Sequence, residues 1–222
     1  MTDLFAAYDT TRARMIELVQ DANADALSTM VPSCPDWTAK QLFTHCVSLP
    51  AEIGAGNLPT GDPNEWINSI VAVRSDRSID ELVDEWATTD DTLRAMLGGG
   101  GGLIFNDLMV HEHDLRGALG APDHSALDAS ISIPASLEFT VPVLIEKGLG
   151  SIEIRSGSDV WRSHDAEPGW VLEVSPWEAT RALFSRRTAD ELRALGESDN
   201  IEAYIEVIGS HLPLPANPLN EP

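Results

Sequence analysis

The sequence predicts an α+β protein, mainly α, in which a helical bundle precedes a small α+β domain with an antiparallel sheet. Two changes along the chain carry that prediction. Up to Gly120 the apolar residues recur at spacings of three and four between capping signals, whereas from Ser151 the period falls to two. Between them, residues 121–130 shift to Pro, Asp, His, Ser and Ala, a composition suited to an interdomain crossing. We therefore expect a first domain over 1–148, including that linker, and a second over 149–222.

The opening segment places Leu4, Tyr8, Thr11, Met15 and Leu18 on one helical face, with Thr2 as a cap. Pro32 and Pro35 in VPSCPDW bar a regular helix, so a turning connector is expected there. Thr38 and Gln41 then form a capping box that starts a helix with Leu42, His45, Cys46 and Leu49 facing inward. A weak helix around 51–55, a loop at NLPTGDP and a short helix over 64–73 follow. Ser78 and Glu81 make a second capping box, and the stripe from Ile79 to Leu97 runs up to the glycines Gly98 to Gly102. That run lacks the lysine and hydroxyl of a phosphate loop and reads as a helix stop and connector. Beyond the linker, Pro134 opens a helix to Lys147. Strands follow at 151–155, around Val160 and Trp161, and at 170–174. Ser175 with Glu178 and Thr188 with Glu191 start further helices, and 201–208 is the last.

The stretch LIFNDLMVHEHDLRGALG carries the chemistry. On a helix Asp107 and His111 stand one turn apart on one face, so a carboxylate and an imidazole can reach the same cation. A catalytic zinc site takes three protein ligands and leaves a position open, and the inward His45 is the best third donor. A lone inward histidine is ordinarily a core residue bonded to a carbonyl; the company of Asp107 and His111 shifts the reading to metal binding. Glu112 and His113 are rotated off that face, and Asp114 lies where it can orient a ligand imidazole or make a surface ion pair. Trp37, Trp161, Trp170 and Trp177 read as packing residues.

Composition narrows the partners. With 36 acidic against 14 basic residues, only two of them lysines, the formal charge is −22. Such a surface repels phosphate backbones and anionic lipids, so neither nucleic acid nor a membrane is expected as a partner. No charged leader precedes an apolar run, and no stretch reads as long enough to span a bilayer, which makes the cytoplasm the expected location. Cys34 and Cys46 are too few for a disulfide framework and lack zinc-finger spacing, so both are read as reduced thiols. A monomer or homodimer acting on small molecules is expected.

Three segments, CPDWTAKQLFTHCV, DLMVHEHDLRGALG and SPWEATRALFSRR, resemble the mycothiol-dependent maleylpyruvate isomerase family over nearly the whole chain. The resemblance implies a DinB-like up-down bundle holding a divalent metal, commonly zinc, followed by a domain related to sterol carrier proteins. It places His45, Asp107 and His111 at the metal-ligand positions and matches Arg186, in SRRTAD, to an arginine near the active centre. Mycothiol is the implied thiol cosubstrate, and a metal-held thiolate the implied nucleophile in an isomerisation or S-transfer on a small electrophile, with Arg186 catalytic in holding a substrate carboxylate. The family has glutamate where this chain has Asp107; the side chain is one methylene shorter, so metal or helix must come closer. Two alternatives use the same bundle: a metal-dependent hydrolase working through activated water, and a non-catalytic small-molecule-binding or stress-associated protein.

Overall fold

The computed structural model describes residues 3–99, 102–123 and 129–219. Thr2, two residues of the glycine run (Gly100 and Gly101) and residues 124–128 of the expected crossing lie outside them. The chain divides into two compact units, 1–123 and 124–222.

The first unit contains helices α1 (Leu4–Asp21) and α2 (Ala24–Leu27), strands β1 (Met30–Val31) and β2 (Cys34–Thr38), and helices α3 (Ala39–Gly54), α4 (Pro63–Ala72), α5 (Ile79–Ala87), α6 (Asp90–Gly98) and α7 (Gly102–Ala118). Asp3 caps α1, its carboxylate accepting from the Ala6 N–H at 3.1 Å. The expected connector VPSCPDW is an antiparallel hairpin, Met30 pairing with Thr38 and Val31 with Cys34. A two-stranded ribbon is all edge, so Pro35 costs it no obligatory bond. The Thr38–Gln41 box closes as the spacing predicts, with Thr38 N–H donating to Gln41 Oε1 at 2.9 Å and Gln41 N–H to Thr38 Oγ1 at 3.3 Å.

Two helix limits differ from expectation. Helix α3 runs through Pro50 to Gly54, where the sequence reading set a separate weak helix. Conversely, the single stripe Ile79–Leu97 is two helices, because Thr88 and Thr89 turn their hydroxyls onto the carbonyls of Glu85 and Trp86, both at 2.7 Å, and end α5. The core gathers on Trp86, which meets Tyr8 and Phe43 edge-on at 6.4 and 5.5 Å between ring centroids and donates its indole N–H to the Tyr8 hydroxyl. Helix α7 packs against α1, α3, α6 and β1 and is buried on nearly every side.

The second unit starts with a 3₁₀ turn (Ala129–Ile131) and α8 (Ile133–Glu146). Strands β3 (Ser151–Ser156), β4 (Asp159–Arg162) and β5 (Pro168–Glu173), helices α9 (Pro176–Leu183) and α10 (Ala189–Ala194), strand β6 (Gly196–Glu197) and helix α11 (Ile201–Gly209) complete it. The domain boundary therefore falls at 123/124, not at 148/149. The physical reason is that Ile133, Leu137 and Leu144 of α8 share one core with Ile152, Ile154, Trp170, Leu172 and Tyr204. By length and composition 129–146 is apolar enough to cross a membrane, contrary to the sequence reading, but its inward positions are spent on that core.

The sheet order is β4-β3-β5-β6. β3–β4 pairs antiparallel as expected, β6, a strand the sequence reading does not contain, adds antiparallel to β5, and the central pair β3–β5 is parallel. After β4 the chain passes under the start of β3 in five residues, 163–167, and rises on its other side. Ser151 holds that short crossing, its N–H donating to the Glu167 carbonyl at 3.0 Å and its hydroxyl to that of Ala166 at 2.9 Å. Close approach dictates the residues here: a Cβ on Gly150 would collide with the Glu167 carbonyl, and one on Gly169 with the Tyr204 hydroxyl, which donates to the Gly150 carbonyl at 3.0 Å.

Candidate metal centre

Helices α3 and α7 bring His45, Asp107 and His111 together. Asp107 stands between the two imidazoles, one oxygen 3.3 Å from His45 Nε2 and the other 3.4 Å from His111 Nε2. The rings meet edge-on with centroids 5.1 Å apart, and all three donor atoms lie within 4.8 Å of one another. Both histidines are buried, while a third of the Asp107 side chain is exposed, so the set opens to solvent at the carboxylate. The shorter aspartate thus spans the gap to both imidazoles.

Each ring is oriented differently. The His111 Nδ1 is 3.1 Å from Asp114 Oδ2, whose side chain is fully buried. Of the two roles considered for Asp114, the structure gives the orienting one: a carboxylate on Nδ1 leaves the Nε2 lone pair aimed at the donor set. His45 is instead clamped by packing. The Trp37 indole covers it at 5.0 Å between centroids and is itself anchored by donating to Asn68 Oδ1 at 3.1 Å. The His45 Nδ1 is buried without a hydrogen-bond partner among the described residues. Trp37 is therefore part of the site and not only a packing residue, a role that no local sequence signal marks.

The electrostatics follow from the placement. Burial alone would raise the Asp107 carboxyl, but the His111 and His45 rings outweigh it and hold it far below the usual carboxylate range. Burial would likewise lower His111, yet Asp107, Asp114 and Cys34 together hold its imidazole well above its ordinary value. Such mutual stabilisation is what a carboxylate and an imidazole aimed at one point produce, and a divalent cation placed there replaces the proton. The two imidazole nitrogens, one of them on a carboxylate-backed ring, and the Asp107 carboxylate make a donor set that fits zinc or a similar ion. Cys46, next to His45 in sequence, stays out of it: the thiol is buried and pushed up by that burial.

Glu112 and His113 do not join the donor set. Glu112 is nevertheless fully buried, taking paired bonds from Arg14 at 2.8 and 2.7 Å and from Arg116 at 3.1 and 2.9 Å. This clamp fixes the rotation of α7 about its axis, and with it the direction of Asp107 and His111.

Arg186 belongs to the second unit. It follows α9 in a turn where Ser185, at φ 57°, takes the left-handed conformation usual for glycine. The Arg186 N–H returns to the Arg181 carbonyl at 2.9 Å, and the Ser185 hydroxyl reaches the carbonyls of Ile208 and Leu212 at 3.3 and 2.9 Å. The Arg186 guanidinium is almost wholly buried and donates to the Phe184 carbonyl. Its neighbour Arg187 forks onto Glu178 at 2.6 and 2.8 Å, so Glu178 serves an ion pair while Ser175 alone caps α9.

Among known proteins, no curated protein and no solved structure matches the chain. A family model described as mycothiol maleylpyruvate isomerase N-terminal domain matches residues 8–100. The matched stretch holds Trp37 and His45 and ends before α7, so the Asp107 and His111 assignments stand on geometry. Residues 8–100, most of the helical unit, are thus similar to the mycothiol maleylpyruvate isomerase N-terminal domain.

Proposed function

We propose that this protein is a metal-dependent enzyme of the mycothiol type, in which His45, Asp107 and His111 hold a divalent cation, zinc by the chemistry of the donors. The observation that carries the reading is the meeting of two imidazole nitrogens and one carboxylate, with Asp114 fixing one ring from behind. When bound, the cation supplies positive charge that stabilises a thiolate at neutral pH, and mycothiol is the thiol that the family's description names. The residues of the chain do the rest. Asp107 and the two imidazoles fix the position, Trp37 shields His45 from water, and the exposed edge of Asp107 leaves an approach for a small electrophile. Arg186, with its buried fork, is the group we assign to a substrate carboxylate. The overall reaction is isomerisation through reversible thiol addition to an activated double bond, or S-transfer if the adduct is released. A reducing cytoplasm suits both the thiol and Cys34 and Cys46, neither of which is in a disulfide.

Elemental analysis and zinc titration test the first step: one equivalent is expected to bind, and, with Cys34 replaced by alanine so that its thiol takes no part, His45→Ala to abolish it. A protein that takes no zinc ends the proposal. Activity that persists after every low-molecular-weight thiol is removed would leave the metal but replace the thiol with water.

A further inference from the structure

The His111 ring has two nitrogens, and each faces its own set of donors. Nε2 faces Asp107 and His45. On the other side Nδ1 lies 3.1 Å from Asp114 Oδ2, and Cys34 Sγ is 3.8 Å from that same oxygen. All three donor atoms of this second set lie within 4.8 Å of one another. We propose that Cys34, His111 and Asp114 form a second cation site, selective for a thiophilic divalent ion, that competes with the first site for one imidazole.

Geometry supports it. Tetrahedral bonds of about 2.0–2.3 Å to N, O and S hold donor atoms about 3.3–3.6 Å apart, and the observed 3.1 and 3.8 Å bracket that spacing. Little movement is needed to admit an ion. Cys34 opens β2 in the short hairpin, is half-buried, and so gives the set both a route from solvent and the freedom to adjust. The donors are one sulfur, one nitrogen and one oxygen, a softer set than the all-N/O first site, which selects cadmium or zinc over magnesium or calcium.

The chemistry balances without an oxidant. As the ion binds, the Cys34 thiol loses its proton to solvent and forms the sulfur–metal bond. The His111 proton leaves Nδ1 and is carried on Nε2, where Asp107 accepts its hydrogen bond. Asp114 exchanges that imidazole bond for the ion. His111 is then no longer a donor to the first set, so occupancy of the second site withdraws a ligand from the first; this competition alone rests on the function proposed above.

Titrating the metal-free full-length protein with cadmium, and following the ultraviolet thiolate-to-cadmium charge-transfer band, tests the site directly. One equivalent of band is expected in the wild type, in Cys46→Ser and in His45→Ala, and complete loss in Cys34→Ser. Cys34→Ala gives the same loss and guards against a folding defect peculiar to serine, with circular dichroism checking both. No band in the wild type, a band surviving in Cys34→Ser, or loss in His45→Ala would each overturn the second site. Zinc binding that survives His45→Ala even in a Cys34→Ala background would instead remove the first reading and leave the wild-type cadmium band in place.

Discussion

Helices α7 and α8 invert the usual relation between polarity and burial. Helix α7 carries Asn106, His111, Glu112, His113, Asp114 and Arg116, and buries all of them. Helix α8 is far more apolar, yet leaves Phe139 40% and Ile145 63% exposed. Hydropathy decides α8, whose one inward row fills the core of the second unit. Partners decide α7: each buried charge costs several kcal/mol in desolvation unless it is matched, and here Arg14 of α1 and Arg116 match Glu112 while His111 and Cys34 of β2 meet Asp114. The teaching is that polar residues are inside the first unit because specific side chains wait for them, which is how a binding site is built and not how a core is filled.

If that contrast is right, the two helices break differently. Glu112→Gln should be the most damaging change, because it leaves Arg14 and Arg116 facing each other without their carboxylate; breaking such a buried set costs about 3–5 kcal/mol. Urea unfolding of the full chain measures it, and a loss under 1 kcal/mol would mean that the clamp is not what holds α7. On α8 adjacent positions should part company. Leu144→Ala empties core volume and costs about 2–5 kcal/mol, whereas Ile145→Ala stays within about 0.5 kcal/mol. Equal losses at 144 and 145 would show that the outer face of α8 is packed after all. Next in size is Asp114→Asn, which keeps the shape but weakens the orienting bond to His111. Zinc affinity should fall about 10–100-fold, with little change in the unfolding midpoint of the metal-free protein. A calorimetric titration indistinguishable from the wild type would reduce Asp114 to a structural residue.

Local signals made much of this legible in the sequence. The boxes at Thr38, Ser78 and Thr188 close as read, because a cap is settled within four residues. The Asp107–His111 pair follows from helical geometry alone, and His45 from its place among inward leucines. What stayed hidden depends on partners distant in sequence. Glu112 meets Arg14 from ninety-eight residues away, so its rotation off the donor face said nothing of its burial. Cys34 reaches Asp114 across eighty residues, and Trp37 covers His45 only because the proline segment folds back as a hairpin. Likewise α8 looked like the last helix of the bundle until its core partners, all downstream, were known. The parallel β3–β5 pair escaped notice because alternation gives a strand but not its direction.

The smallest effect we expect lies in the second unit, at Glu153, a buried carboxylate on β3. Glu153 is only 1% exposed, between the half-exposed Arg155 and Arg162. Arg162 first, then Arg155, hold its carboxyl below the ordinary range against the opposing push of burial. A depressed carboxyl contributes its stability above the unfolded-state value, about 4.3, and loses it as pH falls through the lower folded value. Because both arginines are open to water and salt, the contribution is modest. Unfolding curves of wild type and Glu153→Gln should thus differ by a constant amount from pH 7 down to about 5 and converge in stronger acid. At high salt the gap itself should narrow. In the first unit, Glu112 is shielded by the guanidiniums it binds and should show no such narrowing. Curves that stay parallel into acid would mean that the Glu153 pairs add nothing to the folded state beyond what its neutral amide supplies.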